Sequence, residues 1–287
     1  MLQSFTLGAL GRRAAAAALL LCAAGAAQAI VGGTDTSAFG QVDSGVQITD
    51  NWVLTARHVG YAVGGTYSNG YGSATIAARY DLGSGVTLQN DLALLRLGSA
   101  IDIPELSLSA DVLAPGGLGS PFAATIATGS NQVPRGYGFT TVHEVVDEVD
   151  TDGSAGPLLP FAVNWLVAYN FTGTGFTTPY VQAGDSGGGL FLGQVTDSSS
   201  ALLGISSAYL SGPVKIDING VLTEVPFHGS AFVQLAAYRG WIDTTMGNDG
   251  TDSQLPIWVS SVPEPQALLM WALGLAGLAG RRLVRRG

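Results

Sequence analysis

Short apolar runs, closed again and again by Gly, Pro, Asn or Asp, constrain this chain more than any other feature. They read Trp52-Val53-Leu54, Ala74 to Arg79, Leu92 to Leu97, Ala123 to Ala127, Ala162 to Tyr169, Gly189 to Leu192, Ala201 to Ser206 and Ala231 to Leu235. Runs of this length and punctuation suit strands joined by turns, and many such strands close into barrels or sandwiches. With 41 Gly among 287 residues and 47% hydrophobic residues, the chain can both bury a sizeable core and turn back on itself. Disorder of the bulk and a mostly helical fold are therefore excluded. One segment differs: Leu235, Tyr238, Trp241, Ile242 and Thr245 recur at helical spacing, so a single terminal helix is expected over Leu235 to Met246.

Charge narrows the class of partner. Between Ile30 and Ser260 there are 20 acidic residues but only six basic ones, Arg57, Arg79, Arg96, Arg135, Lys215 and Arg239. No basic run or basic-aromatic stripe is present, so nucleic acid is not an expected partner. The one cysteine, Cys22, lies in the N-terminal apolar segment, which leaves no disulfide framework and no cysteine-metal site to propose for the body.

Both ends read as addresses. Residues 1–29 combine Arg12-Arg13, an apolar stretch from Ala14 to Ala24 and the small-residue ending Ala27-Gln28-Ala29, the order of a cleaved secretory signal. An uncleaved anchor is the alternative, but the stretch falls short of the roughly 20 residues a spanning helix needs. The other end reads Val262-Pro263-Glu264-Pro265, an apolar run from Gln266 to Gly280, then Arg281-Arg282-Leu283-Val284-Arg285-Arg286. Positive charge after an apolar span holds that end in the cytoplasm. Residues 262–287 resemble a PEP-CTERM sorting signal, which implies an exosortase-type enzyme as partner, besides the signal peptidase. A plain membrane anchor is the alternative. Residues 247–261 read as a polar linker, which leaves a folded body over 30–246.

Four motifs stand in the body in a fixed order: Ile30-Val31-Gly32-Gly33, Trp52 to Val59 with His58, Asn90 to Leu97 with Asp91, and Gly184-Asp185-Ser186-Gly187-Gly188. A hydroxyl to attack, an imidazole to take its proton and a carboxylate to orient that imidazole are what nucleophilic acyl transfer needs. Each residue alone has a structural reading, and it is their order and neighbours together that point to chemistry. The body resembles the chymotrypsin/trypsin family of serine proteases. That resemblance implies an all-β fold of two six-stranded antiparallel barrels with a C-terminal helix, a protein or peptide substrate, and no cofactor. It also implies Ser186 as nucleophile, His58 as general base and acid, Asp91 as its orienting carboxylate, and the N–H groups of Gly184 and Ser186 as an oxyanion hole. Ser207 would bond the triad carboxylate and line the substrate site.

The resemblance further implies activation by a freed Ile30 α-ammonium inserting beside Asp185. Cleavage after Ala29 would expose Ile30 directly, whereas cleavage after Ala27 would leave Gln28-Ala29 to be trimmed. Departures accompany the match. Arg57 and Val59 flank His58 where the family usually has Ala and Cys. Tyr180 stands where members that cut after Lys or Arg carry Asp, Tyr209 narrows a pocket wall, and Gly229 keeps the opposite wall small. An uncharged, small or aliphatic residue before the scissile bond is the expectation. The acidic run Glu144, Asp147, Glu148, Asp150, Asp152 ends at Gly153 and lacks the closing Glu of a calcium loop, since Leu159 stands there. It reads as a solvated loop. A catalytically silent binding or matrix protein on the same fold is the competing function.

Overall fold

The computed structural model describes residues 30–83, 91–113, 116–130, 133–146, 165–171, 178–218, 221–250 and 254–260. The secretory-type segment 1–29, the tail from 261 onward, Asn90, and the acidic run beyond Glu144 lie outside them. Strands dominate. The first sheet holds β2 (Val46–Thr49), β3 (Trp52–Thr55), β4 (Thr66–Ser68), β5 (Ser73–Asp81) and β6 (Ala93–Leu97) in the order β2-β3-β6-β5-β4.

The second sheet contains β8 (Gly116–Ser130), β9 (Val133–Val146), β10 (Trp165–Phe171), β11 (Gly189–Leu192), β12 (Leu202–Ile218) and β13 (Val221–Gln234). Pairing runs β11-β8-β9-β10-β13-β12, and β12 pairs β11 in turn, so these six antiparallel strands close into a barrel. Closure leaves none of the six with an open hydrogen-bonding edge along its paired length. Strands β1 (Thr34–Asp35), β7 (Ser107–Ser109) and β14 (Ile257–Val259) attach to its flanks. The all-β class with a C-terminal helix is as expected. The strand count differs on one side, where the described residues form an open five-stranded sheet and not a ring of six.

Alternation along the strands decides which residues fill which core. In β3 and β6, Trp52, Leu54 and Leu94 face the layer shared with the second sheet, while Val53, Leu95 and Leu97 pack with Tyr67, Ile76 and Ile101 on the other face. In the second sheet, Phe191, Leu202, Ile205 and Val233 join that shared layer, while Leu190, Leu203 and Phe232 fill the barrel with Ile126 and Leu166. Burial on both faces explains why these runs read as continuously apolar and not as alternating.

After β13 the chain makes a 3-10 turn, Leu235–Tyr238, and then helix α1, Arg239–Asp249, ended by Gly250 at φ +69°. A left-handed residue in that place is the usual helix stop, and Gly takes it without strain. Residues 247–261, read as a linker, instead contribute the last turn of α1 at 247–249 and the strand β14, paired in parallel with β7. The folded body therefore extends past Met246. Among the described residues, no helix is long and apolar enough to cross a membrane.

Candidate active site

His58, Asp91 and Ser186 are brought together from both sheets. His58 follows β3 and Asp91 precedes β6, strands that pair directly with Thr55 opposite Ala93. The Asp91 carboxylate accepts the backbone N–H of His58 at 2.9 Å through one oxygen and meets His58 Nδ1 at 2.8 Å through the other. On the far side of the ring, His58 Nε2 lies 2.7 Å from Ser186 Oγ. The Ser207 hydroxyl donates to the same Asp91 oxygen that the imidazole uses. Ser207, a position sequence reasoning singled out, thus lies against the carboxylate.

The environments of these groups differ. The Asp91 side chain is 4% exposed and the His58 ring 44%. Burial pushes the Asp91 carboxyl up, but the bonds from His58 and Ser207 outweigh it and hold it below the ordinary carboxylate range. The Asp91 bond raises His58 above the ordinary imidazole value against a smaller opposing effect of burial. With Nδ1–H given to Asp91, Nε2 of the neutral ring is an acceptor and can take the Ser186 proton.

The turn that carries Ser186 is shaped by glycines. Gly184 sits at φ +102° and Gly187 at φ +88°. A Cβ on Gly187 would fall 2.0 Å from the Ser44 carbonyl oxygen, so no larger residue fits there without moving the backbone. Gly187 N–H donates to Ser206 O at 2.8 Å and Ser206 N–H to Gly188 O at 2.8 Å, which fastens the turn to the start of β12 beside Ser207. Between them, Asp185 points inward. It is 2% exposed, accepts Thr128 Oγ1–H at 2.9 Å and Gln182 N–H at 2.8 Å, and burial pushes its pKa up to about 7.

The first described residues pair with the segment that leads towards this turn. Ile30 is 1% exposed within the barrel core, and Val31 pairs with Tyr180 through N–H to O bonds of 3.1 and 3.3 Å. Tyr180 in turn stacks on His228, with Tyr209 alongside, and the Tyr209 hydroxyl meets His228 Nδ1 at 2.5 Å. Gly229, between His228 and Ser230, pairs with Leu210 on β12. His228 was given no role by sequence reasoning, although its neighbour Gly229 was singled out there.

A second feature missed in the sequence holds the loop after His58. Arg79 of β5 donates to the carbonyls of Arg57, Val59 and Tyr61 at 2.5, 3.0 and 2.5 Å and to Asp81 at 2.8 Å. Arg57 itself pairs with Asp81 at 3.4 Å and donates to Leu82 O at 3.3 Å. The two unusual neighbours of His58 thus belong to a guanidinium clamp on the loop that carries it. Among the described residues no group of three or more His, Cys, Asp or Glu could hold a metal ion. A cavity of about 500 Å³ opens away from the triad, lined by residues such as Ile48, Asp102 and Leu255. It contains none of the three triad groups.

A family model described as Trypsin matches residues 24–228, more than half of the chain. No curated protein matches in sequence. Solved structures with similarity include human heparin binding protein, at 17% identity and TM-score 0.42, covering 78% of this chain and 99% of that one. Others are Rv3671c of M. tuberculosis H37Rv in an inactive form, at 14% and 0.42 over 74% and 82%, and kallikrein-related peptidase 10, at 16% and 0.41 over 71% and 89%.

Proposed function

The chain belongs to the trypsin family, and from that premise we propose that it is an exported serine endopeptidase working through an acyl-enzyme. The observation that carries this reading is the unbroken path Asp91 Oδ2, His58 Nδ1, His58 Nε2, Ser186 Oγ, at 2.8 and 2.7 Å. Ser186 Oγ attacks the scissile carbonyl carbon while its proton passes to His58 Nε2. Asp91 keeps the imidazole in the tautomer that can accept it and stabilises the imidazolium that results. The tetrahedral oxyanion takes the N–H groups of Gly184 and Ser186, a donor pair of which each member typically supplies about 3 kcal/mol. Proton return from His58 to the leaving amine completes acylation, and water repeats the sequence to release the acid.

Activation follows from Asp185. A carboxyl buried beside neutral donors favours the protonated form near neutral pH, and a cation placed next to it makes the charged form tolerable. The α-ammonium of Ile30, freed by cleavage after Ala29, is that cation. Export through the N-terminal signal and retention or release through the PEP-CTERM-like tail, handled by signal peptidase and an exosortase-type enzyme, complete the proposed life of the chain. The substrate is an exported protein or peptide.

The test is mass spectrometry of the exported protein after fluorophosphonate treatment, with Ser186→Ala as control. Labelling at Ser186 in the wild type alone supports the reading. No labelling of a folded chain that begins at Ile30 would replace it with the silent binding protein.

A further inference from the structure

The cavity of about 500 Å³ that holds none of the triad groups lies at one end of the parallel pair β7 and β14. Because these strands run the same way, with Ile257 opposite Ser107, the segments that enter them arrive together. Residues 102–106 and Gln254, Leu255 and Ile257 accordingly share the lining, and Ile48, Thr49 and Asp50 at the end of β2 supply the rest. Two fully buried glutamines fasten these walls. Gln47 gives its amide to the carbonyls of Thr49, Asp50 and Ile101 at 3.0, 3.1 and 2.7 Å, and Gln41 gives its own to Pro104 O at 3.0 Å. The space is therefore built into the fold.

Its lining combines apolar surface with unanswered charge. Ile48 and Leu106 are buried, whereas Leu255 and Ile257 are 52% and 42% exposed. Asp50, Asp102 and Glu105 bring three carboxylates, and no basic side chain lines the cavity. Among the described residues none of the three takes an ion pair: Arg57 and Arg79 meet Asp81, Arg96 meets Asp249 and Arg239 meets Asp243. The three do not form a metal-holding group either, so the missing complement is an organic cation. A second observation is independent of the acids. Thr49 is 8% exposed, and its hydroxyl is buried with no hydrogen-bond partner. An unpaired buried hydroxyl weakens the fold that keeps it, so its place in this lining calls for a ligand that pairs it.

We propose that this cavity is a docking site for a polypeptide segment in which Lys or Arg stands between apolar residues. The apolar neighbours cover Leu255 and Ile257, and the stem of the basic side chain lies along the apolar lining while its head meets the carboxylates. One of its N–H donors is the partner that the Thr49 hydroxyl lacks. Strand β14 ends the path of paired strands, so a polypeptide filling the cavity can run on along that outer edge, which a small free amine cannot do. The excess of acidic over basic residues in the folded body draws such a partner in. This goes beyond the endopeptidase reading and holds whether or not Ser186 reacts.

The experiment is fluorescence anisotropy with a dye-labelled peptide Gly-Leu-Lys-Leu-Lys-Leu-Gly on the exported chain carrying Ser186→Ala, so that nothing is cut. Saturable binding is expected, weakening as salt rises. Asp102→Asn with Glu105→Gln weakens it about five- to tenfold, the yield of two half-screened ion pairs. Thr49→Val weakens it about threefold or more, yet unfolds at the same or a higher urea concentration because it removes an unpaired buried hydroxyl. Equal binding of the peptide with Glu in place of Lys, or binding unmoved in the Asp102 and Glu105 double variant, overturns the site. Spermidine binding as tightly as the peptide overturns the polypeptide as its occupant. Fluorophosphonate labelling of the wild type is a separate readout, so an unlabelled Ser186 defeats the endopeptidase reading alone and absent peptide binding defeats the docking site alone.

Discussion

The loop that carries His58 and the turn that carries Ser186 are secured by different chemistry. Arg79 gathers three carbonyls of the His58 loop in one guanidinium, and Arg57 adds its own tie to Asp81. All these partners lie in the first sheet and its loops, and only the Asp91 carboxylate takes a further bond from outside them, from Ser207 of β12. The Ser186 turn instead folds around a buried carboxylate, Asp185, bonded by Thr128 and Gln182. That carboxylate stands beside the backbone bonds from Gly187 and to Gly188 that tie the turn to Ser206. Under the proposed activation by Ile30, one half of the site is permanent and the other conditional.

Four measurements break or sharpen this contrast. The largest effect is expected on the permanent side, where Asp91→Asn leaves the imidazole in the wrong tautomer and lowers kcat by about 10⁴-fold. Steady-state kinetics on any cleaved peptide reads it, and a loss below tenfold would mean that Asp91 only packs. Next comes the conditional side. A mature chain that keeps Gln28-Ala29 ahead of Ile30, or carries Asp185→Asn, should label at Ser186 about 10²- to 10³-fold more slowly, the value of an oxyanion donor put out of place. Equal rates with and without the extension would make the Ser186 turn as permanent as its partner.

The third effect is on stability. Because the folded pKa of Asp185 lies above its ordinary value of 3.8, the folded state binds an extra proton between about pH 4 and about pH 7. Stability of a chain blocked ahead of Ile30 is therefore highest below that window and falls by about 2–4 kcal/mol as the pH rises through it. Thermal melts at pH 4.5 and 7.5 show the drop, and both Asp185→Asn and a free Ile30 terminus should flatten it. The smallest effect belongs to the clamp. Arg79→Met strands the carbonyls of Arg57, Val59 and Tyr61 and costs about 1–3 kcal/mol in urea unfolding. Loss of activity with no loss of stability would show that the clamp aligns His58 without holding the loop.

What the sequence discloses follows from distance along the chain. The triad was legible because each member sits inside a run of five to eight informative neighbours, as in Gly184-Asp185-Ser186-Gly187-Gly188. The clamp was not, since Arg79 and the Arg57 carbonyl are 22 positions apart and the sequence marks Arg57 only as an odd neighbour of His58. The aromatic stack joins Tyr209 to His228 across 19 positions, and Tyr209 was singled out in the sequence while His228 was not. Strand β9 and the outer reach of β12 and β13 escaped for a different reason. Pro134, Gly136, Gly138, Gly212 and Pro213 interrupt their apolar pattern, and long-range pairing overrides local propensity there. The usable signal was Asn219-Gly220 between Ile218 and Val221, a pair typical of hairpins.

At the end of α1, Asp249 reaches back to the first sheet, accepting the Tyr80 hydroxyl at 2.5 Å and meeting Arg96 Nε at 3.0 Å. An acid at a helix C-terminus opposes the helix dipole, so its place there is explained by those two partners and not by α1 itself. Tyr80 and Asp249 are 169 positions apart. On a ribosome adding about 5–20 residues each second, the first sheet waits roughly ten to thirty seconds for the acid that completes it. A chain cut before Asp249 therefore leaves Tyr80 and Arg96 of the first sheet without the acid that both of them meet.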